Sequence, residues 1–183
     1  EIRLSLVGSE MCIRDSQNII VETRRFCPDW WGTAEPIVIT TFNRDENTKS
    51  GTIKNVRFFN VTTKGENGVL IHGNADNIIE DISFENCRVE LTKTSKWQCG
   101  LYDLRPCLDW GVEEYDNSAF FIRYAKNVRI EKTKTRWGNI CDSYKHAIDA
   151  ENVDGLELVR FSGHAVDPSV EDYKFNNVKL AEV

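Results

Sequence analysis

One phrase recurs along this chain and limits what it can fold into. "KNVRFFNV" (54–61), "EDISFENC" (80–87), "KNVRIEKT" (126–133), "DGLELVRF" (154–161) and "EDYKFNNV" (171–178) share a form. Each has a polar residue, then Asn, Asp or Gly, then an apolar residue, a variable one and a second apolar one. "QNIIVE" (17–22) is a sixth copy, with Ile19 and Val21 as its apolar pair. Period-two alternation marks a strand with one buried face, and the residue before it is of a turn-forming type. Val56/Phe58, Ile82/Phe84, Val128/Ile130, Leu156/Leu158 and Tyr173/Phe175 are therefore expected to face one core.

A second set of strands alternates with the first: "PIVITT" (36–41), "GVLIHG" (68–73), "AFFIRYA" (119–125) and "AIDAENV" (147–153). Ala119 to Val128 and Ala147 to Leu156 are both nine residues apart, so these two turns of chain close alike. The first set recurs at spacings of 37, 26, 46, 28 and 17 residues. A unit of about 20–30 residues built only of strands and turns means a solenoid. Helical repeats are excluded because no segment carries an i, i+3, i+4, i+7 stripe. The leucine-rich consensus is absent, and a propeller blade would need roughly 40 residues in four antiparallel strands. What remains is an all-β chain folded as a right-handed, single-stranded parallel β-helix. Strands at 55–59, 81–85 and 127–131 should stack in one sheet, with Val56, Ile82 and Val128 pointing into the same core. Asn60 and Asn86 fall at one register position, where Asn side chains can ladder from coil to coil. The two long spacings predict insertions at 24–35 and 92–118, and solenoid insertions often build the binding face.

The first sixteen residues break the pattern. "LVGSEMCIRDS" (6–16) has neither period. Read back into codons, Leu6–Asp15 matches the end of a transposon adapter used in sequencing libraries, and the partial last codon permits Ser16. Residues 1–16 are therefore read as an adapter-derived artefact, not native, with no specific packing expected. Residues 17–183 are read as the C-terminal coils of one β-helix domain, incomplete at the N-terminus, with a sticky edge at Gln17–Val21.

The chain has 23 Lys and Arg against 29 Asp and Glu, a formal net charge of −6. This gives no electrostatic reason to expect nucleic acid as a partner. No apolar run approaches the ~18 residues of a membrane span, so no membrane partner is expected. Of the six cysteines, Cys12 lies in the adapter stretch and Cys87 sits at a core position. No C-x-x-C pair exists, so no structural zinc is expected. Cys99 and Cys107 lie close together in one loop and either pair or stay free.

"GTIKNVRFFNVTTKGENGVLIHG" followed by "IEDISFENCRVEL" resembles the C-terminal coils of family 28 glycoside hydrolases, the polygalacturonase-like enzymes with a pectin-lyase-like solenoid. "SAFFIRYAKNVRI", "YDLRP" and "RRFCPDWWGTAEPIVIT" add to the resemblance, which covers roughly Gln17 to the end. It implies an extracellular or periplasmic, monomeric glycosidase. That enzyme would hydrolyse pectic polysaccharides, galacturonate- or rhamnose-containing, with inversion and without a cofactor or metal. Such chemistry places paired carboxylates roughly 6.5–9.5 Å apart. The family's Asn-Thr-Asp, Asp-Asp and Gly-His-Gly motifs do not occur here. The catalytic residues are therefore expected upstream of residue 17, and the chain alone is expected to be inactive. Gly163-His164 is read as a turn. Two other readings stand beside this one: a non-catalytic carbohydrate-binding or adhesin module, and a pectate-lyase-like enzyme.

The candidate substrate-binding residues lie in the two insertions. Arg24 and Arg25 carry planar guanidinium groups suited to carboxylates, or they pair with nearby Asp29 or Glu35. Trp30 and Trp31 offer flat rings to sugar faces, or one of them plugs the insertion onto the wall. Tyr102, Asp103 and Arg105 sit in the longer insertion, where an Asp103–Arg105 pair would brace the loop. Trp97 and Trp110 flank that loop and can pack it down. Glu66-Asn67-Gly68 is read as a turn with a backbone reason for its glycine, His72 as a structural residue and Trp137 as a core cap.

Overall fold

The computed structural model of the chain describes residues 2–4, 14–28, 31–47 and 49–181. Trp30 and Asp29 lie outside the described residues. The described chain is all-β and contains no helix. In order the strands are β1 (Ile2–Leu4), β2 (Arg14–Glu22), β3 (Ile37–Thr40), β4 (Lys54–Gly65), β5 (Val69–His72), β6 (Ile79–Glu85) and β7 (Arg88–Leu91). They continue with β8 (Leu101–Asp103), β9 (Val112–Glu114), β10 (Phe120–Glu131), β11 (Lys134–Trp137), β12 (Ile148–Val159) and β13 (Tyr173–Leu180).

Every strand pairing is parallel except the hairpin β8–β9 inside the longer insertion. β1 and β2 pair with β3 and β4. These pair with β5, β6 and β7, which pair with β10 and β11. β12 and then β13 follow. The strands therefore stack as successive rungs, each of which pairs with the rung before and the rung after it. Val56 lies beside Ile82, Ile82 beside Val128, and Val128 beside Leu156. All four are buried, as the spacings of 26, 46 and 28 residues require.

Two repeat copies take a different slot from the one expected. Ile19 and Val21 lie beside Val61 and Thr63, not beside Val56 and Phe58. Tyr173 and Phe175 lie beside Ile148 and Ala150, and Val178 beside Val153. The reason is local chemistry. Each rung turns at up to three bends, and each bend can carry the same small polar residue before an apolar alternation. The pattern alone does not tell one bend from another.

The bends form rows of left-handed residues, a conformation that Asn, Asp and Gly adopt most readily. One row is Asn55, Asp81, Asn127 and Gly155, a second is Asn18, Asn60, Asn86, Lys132 and Arg160, and a third is Tyr124, Asn152 and Asn177. Asn86 Nδ2 donates to Asn60 Oδ1 at 3.2 Å and Asn60 Nδ2 to Asn18 Oδ1 at 2.7 Å, the expected ladder. Asn127 donates to Asp81, and Asn177 to Asn152, in the same way.

Against the expectation for residues 1–16, Ile2–Leu4 form β1 along β3, and Arg14–Ser16 extend β2 beside Val56–Phe58. Backbone pairing needs no particular side chains, so a segment lying along an open sheet edge can add to it. Arg14 and Asp15 are both exposed. Residues 1 and 5–13 lie outside the described residues.

A continuous core fills the inside of the stack. Phe58 lies flat on Phe84 at 4.7 Å, Phe84 meets Phe120 edge-on at 5.2 Å, and Phe161 and Tyr173 carry the aromatic run toward β13. Cys87 is buried in this core, and Trp137 packs on its flank. A second apolar cluster lies on the outer side of β3, β5 and β10. There Val38, Leu70 and Phe121 are covered by Phe42, Tyr102, Leu104 and Trp110. The longer insertion is thus held down by its own aromatics. It is also clipped by a disulfide from Cys99 to Cys141, while Cys107 is a free thiol. Of the two alternatives for Cys99 and Cys107, Cys107 is free as the second has it, while Cys99 pairs outside its own loop. Proximity in sequence mattered less than the rung geometry, which brings the turn after β11 up to the loop.

Candidate functional site

The shorter insertion leaves the stack at Glu22 and rejoins it at Ile37. Gly65 lies at its base. A Cβ there would come within 2.6 Å of Thr23 Oγ1 and 2.9 Å of the Ala34 carbonyl, so glycine lets the insertion lie flat on β4. Gly68 has a related reason. A Cβ there would collide with the carbonyls of Ser118 and Ala119, so close approach, not a turn conformation, demands glycine.

Buried polar residues then tie the two insertions to the stack. Glu66 accepts hydrogen bonds from Lys93 Nζ (2.7 Å), Thr94 Oγ1 (2.6 Å), Ser95 N (2.9 Å) and Ser95 Oγ (2.7 Å), and from Arg25 N at 3.4 Å. Burial alone would push its carboxyl up. The Lys93, Thr94 and Ser95 donors outweigh burial and hold it below the ordinary value. Asn67 donates to Leu101 O (2.9 Å) and Thr33 Oγ1 (3.1 Å), and Asn117 donates to Asn67 Oδ1 at 2.9 Å. Glu35 receives Thr33 N at 2.8 Å and the Thr33 hydroxyl. It is wholly buried, and burial raises its pKa although the Thr33 bonds pull the other way.

A cleft of about 580 Å³ opens beside this insertion, lined among others by Glu22, Arg24, Phe26, Trp31, Lys64 and Thr94. Trp31 is 50% exposed and Phe26 76% exposed. The Arg24 guanidinium sits over the Phe26 ring at 4.7 Å. Aromatic faces and cations lining one cleft suit a ring-shaped ligand that carries negative charge.

The candidate residues separate into two groups. Arg24 and Trp31 line the cleft and are exposed. Arg25 also lines it but is buried. Its Nη1 donates to Gln98 O at 3.1 Å and its Nη2 to Pro28 O at 3.2 Å, so it joins the two insertions to each other and, among the described residues, forms no ion pair with Glu35. Tyr102, Asp103 and Arg105 do not line the cleft. Tyr102 is fully buried, and its hydroxyl oxygen accepts from Ser118 N. Asp103 accepts from Arg105 Nε (2.8 Å) and Nη2 (3.0 Å), and from Gly32 N at 2.5 Å. Burial works against the Asp103 carboxylate, but the Arg105 and Gly32 donors hold its pKa below the usual range. The pair braces the loop and ties it to the shorter insertion.

Lys64 and Phe26 were not found from sequence. For Lys64 the signal was its outward parity on β4, legible once β2 is given its observed register. His72 is buried, with Nδ1 donating to Gly73 O at 2.7 Å and its ring among Phe42, Trp110 and Phe121. No cluster of side chains suited to a metal occurs among the described residues, and no helix there is long and apolar enough to cross a membrane. No family model, curated protein or solved structure matches this chain.

Proposed function

We propose that this chain forms the substrate-binding coils of a polygalacturonase-like glycoside hydrolase, folded as a right-handed, single-stranded parallel β-helix. The catalytic carboxylates would come from sequence outside residues 17–183, and the substrate would be an acidic pectic polysaccharide. The observation that carries this reading is the cleft itself: the half-exposed Trp31 ring and the Arg24 guanidinium both line it. A sugar face can stack on the indole while a uronate carboxylate meets the cation. The parallel stacked rungs support the solenoid form, and the resemblance in the repeat phrases supplies the family.

Titration calorimetry with oligogalacturonides tests the proposal. Trp31→Ala should weaken binding by about 1–3 kcal/mol, the range for loss of a stacking ring. Melting should be unchanged, because the ring is half exposed. If no pectic oligosaccharide, galacturonate- or rhamnose-containing, binds the chain, the cleft reading fails. Release of reducing ends, or of unsaturated uronide ends, by this chain alone would instead show a hydrolytic or lyase site within it.

A further inference from the structure

The outer face of β4, β7 and β11 carries charges that the fold does not use. Along one column, Thr62 lies beside Arg88 and Arg88 beside Lys134. Along the next, Glu22 lies beside Lys64, Lys64 beside Glu90 and Glu90 beside Arg136. Lys64, Arg88, Lys134 and Arg136 are all exposed. Lys64 has only a long contact with Glu90, at 3.9 Å. Arg88, Lys134 and Arg136 have no ion-pair partner among the described residues.

The neighbouring outer face behaves differently. There Arg129 is held by Glu131 and Glu157, Lys132 by Glu85 and Glu131, and Lys54 by Glu80. In a chain of net charge −6, three adjacent unpaired cations are a concentration of charge without a structural task. Rungs are spaced ~4.8 Å apart and alternate residues along a strand ~6.8 Å apart. The four cations thus lie close together, with Glu22 and Glu90 interleaved in one of the two columns. The group also adjoins the cleft. Lys64 belongs to both, and β7 runs directly into Thr92 and Thr94 on the cleft wall.

We propose that this face is an anion track that continues the cleft, and that it holds the flanking stretch of an acidic polysaccharide running down the stack from rung to rung. The proposal rests on the acidic-glycan reading of the cleft, but it assigns a separate surface with separate residues. A polymer bearing a carboxylate on each sugar can meet cations on successive rungs. A short oligomer that fills the cleft cannot reach them.

The test compares trigalacturonate with long, size-fractionated polygalacturonate, using the whole chain. The wild type should bind the polymer more tightly per chain end, with a steeper loss of affinity as salt rises. The triple variant Arg88→Ser, Lys134→Ser, Arg136→Ser should lose about tenfold affinity for the polymer and keep its affinity for the trisaccharide. Circular dichroism should show the fold intact, because all three side chains are exposed. The proposal is overturned if Trp31→Ala weakens both ligands while the triple variant changes neither; the cleft reading then survives alone. It is also overturned if single-stranded DNA binds the face as tightly as polygalacturonate, since the patch is then unselective. If neither ligand binds the wild type, both readings fall together.

Discussion

His72 shows how a single residue sets a pH dependence. Its ring is buried among Phe42, Trp110 and Phe121, and burial lowers its pKa from 6.5 to about 4. The Gly73 carbonyl can only accept, so the neutral ring carries its proton on Nδ1. A folded value below the unfolded one means that the unfolded chain binds more protons between pH 6.5 and 4. Stability from this group is full above 6.5 and is lost as pH falls through that window, by at most about 3 kcal/mol. Urea unfolding of His72→Phe should show a flatter slope over that range, and an unchanged slope would assign the loss to the carboxylates. Residue roles were the least legible part of the sequence. Arg25 and Tyr102 have the chemistry of ligand contacts, yet Gln98 and Ser118, 73 and 16 positions away, hold them, and Asp103 adds Gly32 to the Arg105 partner that the sequence suggests. Only the fold brings Gln98, Gly32 and Ser118 within reach.

For the strands, parity of burial was legible and slot was not. The apolar pairs of the repeat are buried or packed on the core, Phe175 on β13 excepted at 38% exposed, because alternation depends only on near neighbours. Whether "QNIIVE" follows the first or the second bend depends on the rung beneath it, and local pattern carries no trace of that. Asn60 tests what the bends contribute. It sits at φ 56° and makes two ladder bonds. Asn60→Gly keeps the backbone and loses only exposed hydrogen bonds, about 0.5–1 kcal/mol. Asn60→Ala adds the left-handed penalty of about 1–2 kcal/mol. Chemical denaturation should therefore rank alanine below glycine, and equal losses would assign the effect to the ladder bonds instead.

At the scale of the whole molecule, the stack leaves strands half-paired. Among the described residues β2 pairs with β4 alone and β13 with β12 alone, as β1 does with β3 and β11 with β7. Ile20 on β2 is 79% exposed and Leu180 on β13 58% exposed. Open strand edges with apolar side chains recruit other chains. The protein should therefore associate as its concentration rises. Ile20→Lys with Leu180→Lys should suppress this in sedimentation runs while moving the thermal midpoint by no more than about 3 °C. Association of equal strength in the variant would clear the edges of blame. The rows of bends bear on the same hazard. In one rung the left-handed residues are Tyr124, Asn127 and Lys132, and in the next Asn152, Gly155 and Arg160, at intervals of three and then five. A strand that slipped by two positions would still bury its apolar face, so hydrophobicity alone raises no objection. With unequal intervals, however, no slip aligns more than one bend with its neighbour. The bends act like the wards of a lock: each rung admits one alignment of the next, and the stack proofreads its own assembly.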